Sequence, residues 1–237
     1  MSNLNTALVT GGGRGIGKET AILLSKRGLN VIICSRNQKE IESTVKEIKS
    51  SGNGQILGRK CDISVLSQVN TLVNEVLDKY GQIDVLINNA GITHVKKLID
   101  TTEEEWDQTL DINLKGTFLF CKAIVPHMIE NNCGIIINVS SGAGKVGFED
   151  ISAYCASKFG MIGLTESLSR EVPNYNIRVM AICPGEVATK MQEDVDKQYY
   201  ELNKHKMLHP RTVAEKIADM IFSDNKYENG IAVDLPS

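Results

Sequence analysis

The 237-residue sequence lacks several features that would assign it to a class at once. No apolar run approaches the roughly 20 residues that a membrane-crossing helix needs, so no membrane partner is expected. No basic stretch interleaves with aromatics and the net charge is -3, which gives no support to a nucleic-acid groove. The four histidines, His94, His127, His205 and His209, form neither a triad nor a metal-ligand spacing. Of these, His94 follows "NNAGIT", near where a substrate mouth is expected, but an ordinary surface histidine is the preferred reading. The six cysteines, Cys34, Cys61, Cys121, Cys133, Cys155 and Cys183, include no C-x-x-C pair, and none has a histidine at zinc spacing. No metal site is expected. Several of these thiols sit in apolar segments, where they pack as small hydrophobes. Six unpaired thiols suit a reducing compartment, the cytoplasm. "MSNLNTALVT" has no basic leader region and enters an apolar strand at once, unlike a secretory signal.

What is present is an ordinary globular composition, 42% hydrophobic and 23% charged. Apolar runs alternate with amphipathic segments. "TALVT", "NVIICS", "QILGRKC", "IDVLINNAG", "GIIINVSS", "IRVMAICPG" and "GIAVDL" read as seven strands. Helices are expected between them. One long helix starts at Thr102, where Thr102 and Glu105 offer a capping box, and Pro126 is expected to kink or end it. Another carries "SAYCASKFGMIGLTESLSREV", a lid-like helix lies near "MQEDVDKQYYELNK", and "TVAEKIADMIF" is the last. Short, non-alternating apolar strands separated by helices imply a parallel sheet covered on both faces. The expected fold is therefore α/β, a single-domain, Rossmann-like, doubly wound seven-stranded parallel sheet. Without linker, repeat or low-complexity segment, one dinucleotide-binding catalytic domain over residues 1–237 is the economical reading.

"TGGGRGIG", from Thr10 to Gly17, follows a strand and opens a helix. Backbone N–H groups at a helix N-terminus attract phosphate, and missing Cβ atoms let a pyrophosphate come close. The alternative is a tight turn with no ligand. Tyr154 and Lys158 are four apart on an expected helix, so both side chains share one face. A nearby ammonium stabilises phenolate, so such a pair can act as a general acid/base tuned toward neutral pH. The plain reading is an amphipathic helix with a half-buried Tyr and a surface Lys. Ser141 ends the fifth strand, at the carboxyl edge where ligands of open α/β sheets bind.

The glycine spacing T-G-x-x-x-G-x-G, with "NNAG" at Asn88 to Gly91, "DINLKG" around Asn113, "NVSS" ending at Ser141, "YCASK" at Tyr154 to Lys158 and "PGEVAT" at Pro184 to Thr189, resembles the short-chain dehydrogenases/reductases. The flavour is that of the 3-oxoacyl-carrier-protein reductase-like members, and the resemblance covers nearly the whole chain. It implies catalytic roles for Asn113, Ser141, Tyr154 and Lys158. Ser141, rather than adjacent Ser140, would orient the substrate oxygen, because its spacing to Tyr154 is the family's. Tyr154 would move the proton, and Lys158 would also hold the nicotinamide ribose. Asn113 would bind a water linking Lys158 to solvent. The cofactor would meet Gly11, Gly13, Arg14, Gly15, Ile16 and Gly17 of the loop. Asp62 and Ile63 would meet the adenine, where Asp62 is otherwise a plain helix cap. Asn88 would stabilise the central strand, while Asn89, Ala90 and Gly91 let the cofactor lie close. Pro184, Gly185, Val187 and Thr189 would stand at the nicotinamide end.

The second strand ends at Ser35, where an NAD-preferring site usually places a carboxylate for the ribose 2′-OH. Here Ser35 is small and neutral, Arg36 follows, and Arg14 lies in the loop facing the same ribose. Two guanidiniums suit a 2′-phosphate, so NADP(H) is the expected cofactor. The expected activity is that of an NADP(H)-dependent carbonyl reductase, transferring hydride between NADP(H) and a small-molecule carbonyl or secondary alcohol, with a ketone or 3-oxoacyl compound as the expected substrate. The alternatives are an NAD-dependent alcohol, polyol or steroid dehydrogenase and a non-catalytic dinucleotide sensor. Substrate walls are expected from "GAGKVGFEDI" and from a lid at about 186–209. Before "GIIINV" and "IRVMA", where basic carrier-docking residues are expected in carrier-dependent members, the chain has Asn132 and Tyr175. The resemblance also implies a homo-oligomer, tetramer or dimer, built on Leu110, Leu114, Phe118, Phe159, Ile162 and Leu168.

Overall fold

A computed structural model describes residues 4–51, 54–223 and 226–237. Seven parallel strands form one sheet in the order β3-β2-β1-β4-β5-β6-β7. They are β1 (Thr6–Thr10), β2 (Asn30–Ser35), β3 (Ile56–Lys60), β4 (Val85–Asn88), β5 (Gly134–Val139), β6 (Ile177–Pro184) and β7 (Ala232–Leu235). Strand order reverses between β1 and β4, which opens a crevice at their carboxyl ends.

The two faces explain why the strands show no polar alternation. Ala7, Val9, Val31, Ile33, Val85, Ile87, Ile135 and Ile137 point to one side. They pack there against α1 (Gly15–Lys26), α2 (Gln38–Ser51) and α9 (Pro210–Phe222), which supply Ala21, Leu24, Ile41 and Ile217. Leu8, Ile32, Leu86 and Ile136 point to the other side, where α3 (Leu66–Tyr80) and α5 (Gly116–Glu130) bring Val73, Val76, Phe120 and Ile124. Both faces are apolar because both are covered.

Three local expectations need correction. The helix that starts at Thr102 does carry its capping box, with Glu105 N donating to Thr102 Oγ1 at 3.2 Å and Thr102 N to Glu105 Oε2 at 3.1 Å. It is not continuous, however. α4 (Glu103–Leu110) passes through a π-helical turn at Asp111–Lys115 into α5. Pro126 does not end α5, which runs on to Glu130. One lost backbone hydrogen bond there is outweighed by the buried Phe120, Ile124 and Met128 on the same helix. The lid-like helix is two short ones, α7 (Lys190–Val195) and α8 (Lys197–Asn203). Asp196 between them is extended and caps α8 by accepting from Tyr199 N at 2.8 Å. No helix among the described residues is long and apolar enough to cross a membrane.

Candidate active site

A cleft of about 800 Å³ lies at the carboxyl edge of the sheet, over the switch point. The glycine loop forms one end. Gly11 and Gly15 have φ of +65° and +55°, which L side chains rarely adopt. A Cβ on Gly11 would also stand 2.9 Å from Ala90 Cα, and one on Gly17 would run into the Gly11 carbonyl oxygen. The loop is thus packed against itself and against the end of β4. Asn89 Nδ2 fixes that contact by donating to Thr10 O at 2.9 Å, while Asn89 N and Ala90 N donate to Thr10 Oγ1. α1 starts beneath the loop with Arg14 in the capping position and no side-chain cap, so its first-turn N–H groups are not used by the helix. A cradle without Cβ atoms and with unused N–H groups fits a pyrophosphate. Gly11, Arg14, Gly15 and Ile16 line the cleft. Gly13 and Gly17 do not. Gly13 packs on Glu40 of α2 and Gly17 under Gly11, so both shape the loop from behind.

Beside the loop, Ser35, Arg36 and Asp62 line the cleft. The Asp62 carboxyl loses hydration, which pushes its pKa up, but hydrogen bonds from Ser64 Oγ and N and the Arg36 charge bring it below the usual value. Asp62 caps this turn and not the α3 terminus, since α3 begins later, after Val65. Arg14 Nη1 lies 3.5 Å from Glu40 Oε1 and 4.0 Å from Asp194 Oδ2 of α7. The sequence reading missed Glu40. Its signal was a carboxylate in the first turn of the helix after the Ser35 strand, pointing back at the loop.

Ser141, Tyr154 and Lys158 line the cleft, whereas Asn113 lies buried behind that wall, bonded to Ser157 of the same helix as Tyr154. β5 ends just before Ser141, whose Oγ accepts from Ala143 N at 3.1 Å and starts a short turn. Adjacent Ser140 spends its hydroxyl on Lys158 O at 3.1 Å. Tyr154 and Lys158 lie one turn apart on α6 (Ser152–Glu171). That helix is pinned to the sheet by Asn138 Nδ2, which donates to Thr165 Oγ1 at 2.8 Å, and Asn138 accepts from Asn88 Nδ2 at 2.9 Å. Burial pushes the Tyr154 phenol above its usual pKa, and a hydrogen bond from the Ser141 hydroxyl opposes it. The expected lowering by Lys158 is not what governs Tyr154 here. The Lys158 ammonium stands 5.5 Å from the Tyr154 ring centroid and donates to Val139 O at 2.7 Å. Its own burial pushes its pKa down to about 8.

Asn113 sits in the π-helical turn, fully buried. Its Oδ1 accepts from Ile92 N at 2.8 Å, and its Nδ2 donates to Ile92 O at 2.9 Å and Ser157 Oγ at 3.0 Å. Both amide hydrogens are spent and Oδ1 accepts from Ile92 N, so the side chain clamps the chain after β4 to α6. The Asn113 main-chain carbonyl accepts from Thr117 Oγ1 at 2.9 Å, so a water bound there would use its second lone pair.

Pro184, Gly185, Val187 and Thr189 also line the cleft, with Thr189 beside Gly15 of the loop, as do Asn89, Ala90, Gly91 and Ile63. The lid folds back through Leu208 N to Glu186 O and Ala188 N to Leu208 O, both 2.9 Å. Glu186, also missed, receives Tyr199 Oη at 3.1 Å and Gln192 Nε2 at 3.5 Å. His94 contacts Gln108 Oε1 at 3.0 Å, while its neighbours Thr93 and Val95 line the cleft.

The family described as short chain dehydrogenase matches residues 5–200. A 3-oxoacyl-acyl-carrier-protein reductase FabG of Thermotoga maritima is 35% identical over 233 residues, 96% of this chain and 94% of that protein. One from Staphylococcus aureus is 38% identical over 202 residues, 85% of this chain and 82% of that protein. Among solved structures, actinorhodin polyketide ketoreductase with NADPH superposes with a TM-score of 0.91 at 31% identity, covering 100% of this chain and 97% of that one. Levodione reductase gives the same TM-score at 27% identity, covering 98% and 95%.

Proposed function

This chain belongs to the short-chain dehydrogenase/reductase family, and on that footing we propose that it reduces the carbonyl of a ketone or 3-oxoacyl compound to a secondary alcohol with NADPH. The observation that carries the reading is the meeting of the Tyr154 phenol, the Ser141 hydroxyl and Lys158 beside the glycine cradle. When bound, the nicotinamide dinucleotide supplies the hydride.

The protein supplies position and a proton. Tyr154 Oη gives its proton to the carbonyl oxygen as negative charge develops there. Burial helps in this direction, because a raised pKa keeps the phenol protonated at neutral pH. Ser141 Oγ accepts from Ala143 N, and its one hydrogen, directed at the Tyr154 phenol, can turn to the carbonyl oxygen when substrate is bound. Lys158 spends one of three N–H groups on Val139 O, and the others suit the ribose hydroxyls. A water on the Asn113 carbonyl completes a path by which Tyr154 recovers its proton. Alcohol oxidation is the same path reversed.

NADPH is favoured by the absence of a carboxylate at Ser35 and by Arg14 and Arg36 on the same stretch of cleft. Glu40 is the one observation that favours the NAD-dependent alternative, since its carboxylate holds Arg14 beside that stretch. Residues 1–237 act as one catalytic domain, with 186–209 as its lid. Phe118 and Phe159, 42% and 45% exposed on α5 and α6, support pairing of these helices with a second copy, in a dimer or tetramer. Leu168 is not part of that face, because it is buried in the chain's own core. Six free cysteines suit the cytoplasm.

Tyr154→Phe tests the proton role. Single-turnover hydride transfer should fall by roughly 10²–10⁴-fold, while the calorimetric NADPH Kd stays near the parent's. Transfer within about tenfold of the parent would remove Tyr154 from the role of acid.

A further inference from the structure

The cleft carries a set of apolar side chains beside its polar ones. Ile92, Val95, Ala143, Phe148, Ile151 and Met191 line it. Val95 and Phe148 stay 46% and 56% exposed although they lie on the wall of a deep cleft. Large apolar side chains left open in a concave wall are completed by an apolar ligand.

Positive charge is missing from that set. Among the described residues, four cations line the cleft: Arg14, Arg36, Lys158 and Lys190. The first two belong to the glycine-loop end, and Lys158 is buried on Val139 O. Lys190, on the lid, is held by Glu193 at 3.2 Å and Asp194 at 2.9 Å. Glu186 adds a carboxylate to the wall, and Glu149 and Asp150 follow Phe148 in the chain without lining the cleft. On the flanking loops, Lys96 is paired with Glu105 at 2.6 Å and Lys145 with Asp234 at 2.7 Å. Lys97, next along the chain, is exposed and does not line the cleft.

A phosphodiester at this mouth would meet carboxylates and no uncommitted cation on the wall, whereas a ring or alkyl chain would cover Val95 and Phe148. We infer that the substrate is an uncharged, largely apolar ketone taken as a free molecule, not presented on a phosphodiester-bearing handle. The inference rests on the reductase reading above and narrows it.

The test holds the reacting group constant and changes the handle. The 3-oxobutanoyl thioester of N-acetylcysteamine is neutral, and the same acyl group on coenzyme A is anionic. Each is offered with NADPH beside apolar cyclic and aryl ketones, at low and high salt. The apolar ketones and the neutral thioester should be reduced, with kcat/KM for the coenzyme A ester no higher than for the neutral one. Added salt should raise the coenzyme A rate, as screening of like charges requires. Phe148→Ala should raise KM for the aryl ketone about tenfold with little change in kcat, the signature of lost binding contact. A tenfold or greater preference for the coenzyme A ester that shrinks with salt would overturn the inference and leave the reductase reading standing. Calorimetric binding of the two 3-hydroxy product thioesters reads the same preference without turnover. No NADPH oxidation with any ketone would overturn the reductase reading, and this inference with it.

Discussion

The wall that carries Tyr154 and the lid that faces it are built by opposite means. The wall is held by buried, mostly neutral hydrogen bonds: Asn88 to Asn138 to Thr165, Asn113 to Ile92 and Ser157, and Ser140 to Lys158. Each bond joins elements far apart in sequence, in a place where water cannot replace it, so a shift would leave a polar group unpaired. The lid is tied at its base by the backbone bonds of Leu208 to Glu186 and Ala188, but its two helices carry exposed pairs close in sequence, such as Lys190 with Glu193 and Asp194, and Lys204 with Glu201. Pairs of that kind contribute little and are screened by salt. Precision sits where a proton must move, and adaptability sits where substrates differ.

If this contrast holds, the largest losses come from disturbing the packed side. Gly17→Ala places a methyl against the Gly11 carbonyl and Asn89 Nδ2. The loop must shift, and the calorimetric NADPH Kd should rise by 100-fold or more, of the order of 3 kcal/mol. A variant that binds as tightly as the parent would show that the cradle is not close-packed.

A smaller, directional change is expected at the ribose end. Ser35→Asp with Arg36→Leu places a carboxylate where the 2′-phosphate is proposed to lie. The ratio of kcat/KM for NADPH over NADH should fall by at least about tenfold, roughly one lost charge-assisted contact. If the parent already prefers NADH, the Glu40 alternative is the better reading.

The pH dependence is milder and has a definite sign. Lys158 has a folded pKa of about 8, below its ordinary value of 10.5. The folded protein therefore sheds this proton first as pH rises, and the unfolded chain keeps it until about 10.5. Lys158 weighs against stability below pH 8, and that penalty is relieved between about 8 and 10.5. Cofactor affinity should move the other way, weakening as the ammonium is lost above pH 8. A flat calorimetric profile from pH 7 to 9 would mean that Lys158 keeps its charge throughout.

The smallest effect belongs to the lid. Lys190→Ala removes two exposed ion pairs and should change unfolding free energy by less than about 1 kcal/mol. Chemical denaturation checks this, and a larger loss would erase the contrast between the two sides.

Legibility in the sequence follows the same division. β1, β2 and the capping box at Thr102 were readable because strand runs, glycine spacing and caps are local signals. The meeting of Ser141 with Tyr154 was reachable through spacing and family resemblance. The π-helical turn at Asn113 was not, because it depends on Ile92 and Ser157 arriving from distant segments. Pro126 misled because propensity is local while the packing of α5 is tertiary. Glu40 left only a partial local signal, a carboxylate in the first turn of α2, because its approach to Arg14, like that of Glu186 to Tyr199, is tertiary.

The most direct measurement mixes the purified protein with NADPH or NADH and a panel of apolar ketones, and follows absorbance at 340 nm with chiral analysis of the product. The account predicts NADPH oxidation matched by one enantiomer of the secondary alcohol, with NADH clearly slower. Tight dinucleotide binding with no turnover across the panel would contradict it, and would leave a dinucleotide-binding protein that performs no reduction.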